Sequence, residues 1–233
     1  MLSETACPDN SGKSRYAGKK IFLKTVVIIF ISSTVFAQDG VHKHNGFFLR
    51  MLYGFGYAEL VEKDVLGSDL KFSGAAAAGR FQIGGTVSEN LILYGEVGYI
   101  LHIDPELEWA GYSPSNSDVT IFTGDFGGGI TYYLMPSNFY FSLSLLLSQA
   151  SSGYDEVAGG ENWFGWGTHS SEYGFGFNAM VGKEWWIGDD WALGAAIYGY
   201  YSTMKDKGTI AGTNYEYDIN NFSVGVMFSA TYN

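Results

Sequence analysis

Residues Ile130 to Leu147 read ITYYLMPSNFYFSLSLLL, two aromatic and aliphatic runs on either side of Pro136-Ser137-Asn138. The break is short enough only for a turn. After it, Phe139, Phe141, Leu143, Leu145 and Leu147 alternate with a row that contains Ser142, Ser144 and Ser148. Before it, Phe122, Phe126, Ile130 and Tyr132 alternate with Thr123, Asp125, Gly127, Gly129 and Thr131. A period of two belongs to a strand whose faces see different surroundings. The stretch therefore predicts an antiparallel hairpin with one bulky apolar face and one small, polar face.

The same alternation recurs along the chain. In Phe47–Tyr57 every odd position is large and apolar, while the even ones include Arg50, Gly54 and Gly56. Leu91, Leu93, Val97 and Tyr99 oppose Tyr94, Glu96, Gly98 and His102. Comparable rows begin at Tyr173, Trp191 and Phe222, and a weaker one, centred on Ala75–Ala78, puts Arg80 and Gln82 on one face. Together these predict about eight strands, each matching the ~9–11 tilted residues that cross a bilayer. Short turns are expected at Ser88-Glu89-Asn90, Pro136-Ser137-Asn138 and Gly188-Asp189-Asp190, and long polar loops near 59–70, 103–118, 150–171 and 203–217. Strict alternation of long and short connections is the plan of an up-and-down transmembrane barrel.

A soluble sandwich or lipocalin-like barrel alternates as well, with its bulky face inward. Its other face must then meet water and carries Lys, Glu and Gln. Here that face is mostly Gly, Ser, Ala and Thr, which suits a narrow interior. The expected fold is all-β, an eight-stranded antiparallel barrel over residues 46–233, with bulky rows facing lipid.

Near the start, Lys19, Lys20 and Lys24 precede the apolar Thr25–Ile31, and Val35-Phe36-Ala37 follows. A basic region, a short apolar core and a small residue at the cleavage position make a secretory signal, expected to be cut after Ala37. The core is too short for the ~20 residues of a spanning helix. Residues 1–18 read either as an extended basic region or as sequence upstream of the true start. They hold the only cysteine, Cys7, so the exported chain, beginning with a periplasmic segment 38–45, has no thiol. Removing residues 1–37 takes away two acids and five bases. The 24 acids and 13 bases become 22 and 8, a net charge of −14. That balance argues against nucleic acid as a partner.

The segments VSENLILYGEVGY, GKEWWIGDDWALG and VGVMFSATYN, with the hairpin quoted above, resemble those of small bacterial outer-membrane barrels. The likeness is closest to an uncharacterised family of predicted outer-membrane proteins, and more distantly to the OmpX and OmpA transmembrane barrels. It implies an outer-membrane location with both termini periplasmic. It also implies contact with outer-membrane lipid and lipopolysaccharide, delivery by the barrel-assembly machinery, and a monomer. Family barrels usually finish with an aromatic residue; here Tyr232 is penultimate and Asn233 last.

Three groups of residues are candidates for function. Arg50, Arg80, Glu96, Asp125 and Glu184 share the inward phase and are expected to pair as a charge network that plugs the lumen, Arg80 with Glu96. A charged pore is the alternative. Tyr132, Tyr133, Phe139, Tyr140, Trp185, Trp186 and Trp191 surround two of the short turns and are expected to form an interfacial girdle. Tyr154, Trp163, Phe164 and Trp166 lie in the longest polar segment and are candidates for contact with an extracellular ligand, for the interface or for a cap. Fifteen of the 22 acids fall in or beside the polar segments, but none of these matches a calcium loop, so a solvated acidic rim is expected and no metal or cofactor. His102 with Asp104, and His169 with Ser170 and Glu172, hold residue types used by lipid-modifying barrel enzymes. Sequence neighbours rarely face one another as a triad requires, so no catalytic site is expected. The functional expectation is a non-enzymatic surface protein, with a narrow solute channel as the alternative.

Overall fold

The computed structural model describes residues 44, 46–113, 119–154, 169–210 and 213–233. The strands are β1 (Phe47–Val65), β2 (Ser68–Ser88), β3 (Leu91–Trp109), β4 (Val119–Leu134), β5 (Phe139–Tyr154), β6 (His169–Ser170), β7 (Gly174–Trp186), β8 (Trp191–Ile210) and β9 (Thr213–Tyr232). All but β6, a two-residue addition to β5, belong to one antiparallel ring in which β1 pairs with both β2 and β9 and β4 pairs with β5. With no free edge, every ladder amide has a neighbour, which hydrocarbon requires.

The stagger of the ring follows from its register. Cα partners lead from Arg50 to Gln82, Glu96, Gly127, Leu146, Gly176, Ser202 and Asn221, and return to β1 at Leu60, ten residues from the start. Ten rises of ~3.3 Å against eight spacings of ~4.8 Å tilt the strands by about 40°, within the range for closed barrels.

The bulky rows face outward. Phe141, Leu143 and Leu145 are 51%, 49% and 72% exposed, whereas Ser142 and Ser144 between them are 5% and 0%. A soluble fold would reverse this. The outward apolar row of β1 runs from Phe47 to Tyr57 before Glu59 interrupts it. Eleven residues at that tilt rise about 28 Å, close to the ~25 Å apolar band of outer-membrane barrels.

Among the described residues, two of the long polar segments are not loops. β1 and β2 continue to Val65 and from Ser68, reversing at Leu66 and Gly67 with φ of 52° and 86°. β8 and β9 likewise continue to Ile210 and from Thr213. Segments 59–70 and 203–217, expected as loops, are therefore mostly paired strand. The reason is that polar composition excludes lipid contact but not a ladder. Outward cross-strand pairs hold these extensions: Lys71 Nζ to Glu59 Oε2 at 2.7 Å, Lys63 Nζ to Asp69 Oδ2 at 2.5 Å, and Lys205 with Glu216. Strands of 19–21 residues rise about 50 Å, so the hairpins stand roughly 20 Å beyond the apolar belt.

At the other end the turns are short, as the sequence predicts. Glu89-Asn90 joins β2 to β3, Met135–Asn138 joins β4 to β5, and Ile187–Asp190 joins β7 to β8. Asn90 and Asn138 take the left-handed conformation at φ of 62° and 55°, which Asn tolerates better than most residues. Asn233 closes the same end, its amide donating to the Asp190 carbonyl at 3.0 Å.

Candidate functional site

The inward parity of the strands gathers Arg50, Arg80, Glu96, Asp125 and Glu184 in the lumen, each no more than 6% exposed. Near the turn end, Arg50 Nε lies 3.0 Å from Glu184 Oε1. Its guanidinium also donates to Thr231 Oγ1 at 3.2 Å, to Gln82 Oε1 at 3.3 Å and to the Tyr133 hydroxyl. Glu184 in turn accepts from Thr231 Oγ1 at 2.6 Å and from the Tyr133 hydroxyl at 2.9 Å. The guanidinium carbon sits 4.2 Å from the Tyr140 ring centre and 4.9 Å from that of Phe48, so aromatic faces take up the charge that hydrogen bonds leave.

Further along the axis, Arg80 Nη1 donates to Glu96 Oε1 at 2.5 Å and to Asp125 Oδ1 at 2.9 Å, and Nη2 to Asp125 Oδ2 at 3.3 Å. Arg80 and Asp125 lie on β2 and β4, and both pair with Gly98 of the strand between them. A Cβ at Gly98 would come within 2.7 Å of both Arg80 Nη1 and Asp125 Oδ1. The missing side chain is what lets the two charges meet over β3.

Gln82 joins the two groups. It accepts from Arg50 and donates through Nε2 to Glu96 Oε2 at 2.6 Å, and Ser144 Oγ donates to the same oxygen at 2.9 Å. The network thus runs unbroken from Arg50 to Asp125, with two cations and three carboxylates. The sequence reading missed Gln82, Thr231 and Tyr133 as members. Parity was the available signal, since all three sit on inward rows.

Three residues expected in the girdle, Tyr133, Tyr140 and Trp186, lie on inward rows instead. Tyr133 and Tyr140 are each 0% exposed and point into the lumen, because they share parity with Thr131 and Ser142 and not with Tyr132 and Phe141. Trp186 also follows the inward row of Glu184 and meets His44 at the turn end, ring centres 5.3 Å apart. Tyr132 and Trp191 do face outward, at 47% and 42% exposed. Phe139 and Trp185 are half-buried on the outer surface, where Lys183 Nζ lies 4.6 Å and 5.9 Å from their ring centres and donates to the Ser137 carbonyl at 2.8 Å. His44, just ahead of β1, joins the inward-facing residues at the turn end. Its ring stacks on Tyr133 at 3.4 Å between centres and its Nε2 is 2.7 Å from Asn138 Oδ1, so it stops the turn end of the lumen.

Above the Arg80 group lies a polar layer. Asn221 Nδ2 crosses the lumen to Thr123 Oγ1 at 2.7 Å. Both ring nitrogens of His102, both amide atoms of Asn178 and the Ser202 hydroxyl find no hydrogen-bond partner among the described residues. An apolar cluster follows: Leu60, Phe72, Ile121, Ala150, Met204 and Ile219. It borders a cleft of about 240 Å³ at the hairpin end, which Glu62 and Asp206 also line.

His102 is 2% exposed while Asp104 faces out, so this pair does not assemble. Glu172 is held by Lys207 Nζ at 2.9 Å. The side chains of Tyr154 and His169, and Trp163, Phe164 and Trp166 altogether, lie outside the described residues. Among the described residues no three His, Cys, Asp or Glu side chains gather as a metal-holding group.

No protein-family model matches the chain, and no curated protein matches it. Solved structures do. Neisserial surface protein A aligns at 18% identity over 78% of this chain and 96% of that one, with a TM-score of 0.41. The outer membrane protein AlkL aligns at 13% identity over 84% and 94%, with a TM-score of 0.47. OprG from Pseudomonas aeruginosa aligns at 10% identity over 81% and 97%, with a TM-score of 0.42. The chain is similar to these proteins in fold.

Proposed function

We propose that an eight-stranded antiparallel barrel with a lipid-facing apolar belt serves here as a non-enzymatic protein of the bacterial outer membrane, its lumen plugged and its role structural or adhesive. In this reading the short turns and both termini face the periplasm, and the hairpins stand out from the cell among lipopolysaccharide. The barrel is a monomer, delivered by the barrel-assembly machinery. The observation that carries the plug is the unbroken Arg50–Gln82–Glu96–Arg80–Asp125 network, which fills an interior that eight strands make only wide enough for side chains. The burial of His102 supports reading it as lumen filling and not as a base that reaches a lipid substrate.

A narrow channel is the second reading. It is favoured by the unpartnered atoms of His102, Asn178 and Ser202, which are a polar lining that water would satisfy. Ion conductance of the refolded mature chain in planar bilayers decides between them. The plugged barrel gives no steps above the bare membrane; regular ohmic steps at neutral pH overturn it.

A further inference from the structure

Lys183 stands apart from the other cations of the barrel. Among the described residues, each remaining Lys and Arg lies within salt-bridge reach of a carboxylate, in the lumen or along the hairpins. No carboxylate of the described residues approaches Lys183 in this way. Parity is the reason. Glu184, its neighbour on β7, points inward and is spent on Arg50, while Lys183 shares the outward row of Val181 and Trp185. There its ammonium group lies 4.6 Å from the Phe139 ring centre and 5.9 Å from that of Trp185. It donates to the Ser137 carbonyl, in the turn between β4 and β5, at 2.8 Å. Two rings and a carbonyl orient the cation without supplying a counter-charge.

The position of Lys183 decides which anion can supply it. Lys183 pairs with Phe139, the first residue of β5, so it lies at the turn end of the lipid-facing belt, and its stem runs back toward the turn. Long cationic side chains near the edge of a bilayer extend their heads toward the headgroups, and amphipathic rings gather at the same level. The anion that a bilayer offers at that level is the lipid phosphate, which Lys binds as a point charge. The residue is only 5% exposed, so its stem is already folded against the protein and has little freedom left to lose on binding.

We propose that Lys183, with Phe139 and Trp185, binds the phosphate of a phospholipid in the periplasmic leaflet. The ammonium group keeps the Ser137 carbonyl and gives its remaining hydrogens to a phosphate oxygen, and the two rings pack beside the glycerol and the upper acyl chain. The site rests on the membrane reading and is independent of whether the lumen conducts.

The test is a titration of the mature protein, refolded in maltoside micelles that carry no phosphate, and followed at the Trp185 indole and Phe139 amide signals. The probes are dihexanoyl phosphatidylglycerol, the phosphate-free dihexanoyl glycerol, and inorganic phosphate. The phospholipid gives saturable shifts at both signals, the diglyceride binds on the order of tenfold more weakly, and inorganic phosphate gives none. Lys183→Met brings the phospholipid down to the affinity of the diglyceride and leaves the diglyceride unchanged. Should that variant fail to refold, Lys183→Gln, which can still donate to the Ser137 carbonyl, makes the same test. Equal affinity for phospholipid and diglyceride, equal binding of inorganic phosphate, or a preference that survives the loss of Lys183 overturns the site. Failure of the membrane reading shows separately, as a chain that stays folded and monomeric in buffer without micelles.

Discussion

Replacing Glu184 with Gln tests whether the lumen network is balanced as its geometry implies. Glu184 is the only carboxylate paired with Arg50 among the described residues, and both side chains are fully buried. The substitution keeps the volume and removes the charge, which leaves a buried guanidinium with aromatic rings and neutral acceptors alone. Breaking such a pair costs ~3–5 kcal/mol. Glu96→Gln is the built-in comparison. Arg80 keeps Asp125, with bonds of 2.9 Å and 3.3 Å, so no cation is left unpaired; the bonds that Glu96 accepts from Arg80, Gln82 and Ser144 are weakened and not replaced by a buried lone charge, at ~1.5–3 kcal/mol. Equilibrium urea unfolding in lipid vesicles, followed by tryptophan fluorescence, should therefore show Glu184→Gln the less stable by about 2 kcal/mol. The pair variant Arg50→Met with Glu184→Met should recover much of the loss, since apolar groups of similar size can replace a buried pair. A Glu96→Gln cost equal to or above that of Glu184→Gln would refute the reasoning.

Two further outcomes are expected. Leu143→Arg, at the middle of an outward row, should destabilise the barrel by ~2–4 kcal/mol in the same vesicle assay, and no change would mean that this row does not meet hydrocarbon. In the outer part of the β8–β9 hairpin, the hydrogen bond from Lys205 holds Glu216 below its ordinary pKa of 4.5, and the same bond raises Lys205 above its ordinary 10.5. Carbon-detected titration should place the Glu216 midpoint below 4.5. The depressed carboxylate contributes above its ordinary value, and the contribution fades as pH falls through the folded one. The raised lysine contributes below its ordinary value, and the contribution is lost as pH climbs through the folded one. A Glu216 midpoint unchanged by Lys205→Met contradicts the pairing.

Period-two alternation made the barrel legible, because the orientation of Ser142 and Leu143 depends only on parity once the strand is recognised. Residue type is the weaker guide where it conflicts with parity. Aromatics gather near interfaces, yet Tyr133 and Tyr140 are each one residue away from an outward position and face the lumen. Charge in the polar hairpins suggests coil. Glu59, Val61 and Lys63 in fact keep the alternation going above the membrane. The cleft was not legible at all. Leu60, Phe72, Ile121 and Ile219 stand on four strands, and only the ten-residue stagger brings them to one level.

The Arg50 site also bears on how the ring is completed. Its partners come from opposite ends of the chain: Arg50 from the first strand, Glu184 from β7, and Thr231 from the last strand, two residues before the C-terminus. Until β9 docks against β1, the cation has only part of its coordination. Docking of β9 on β1 therefore adds the Thr231 bond to Arg50 in the same step that removes the last free edge of the sheet.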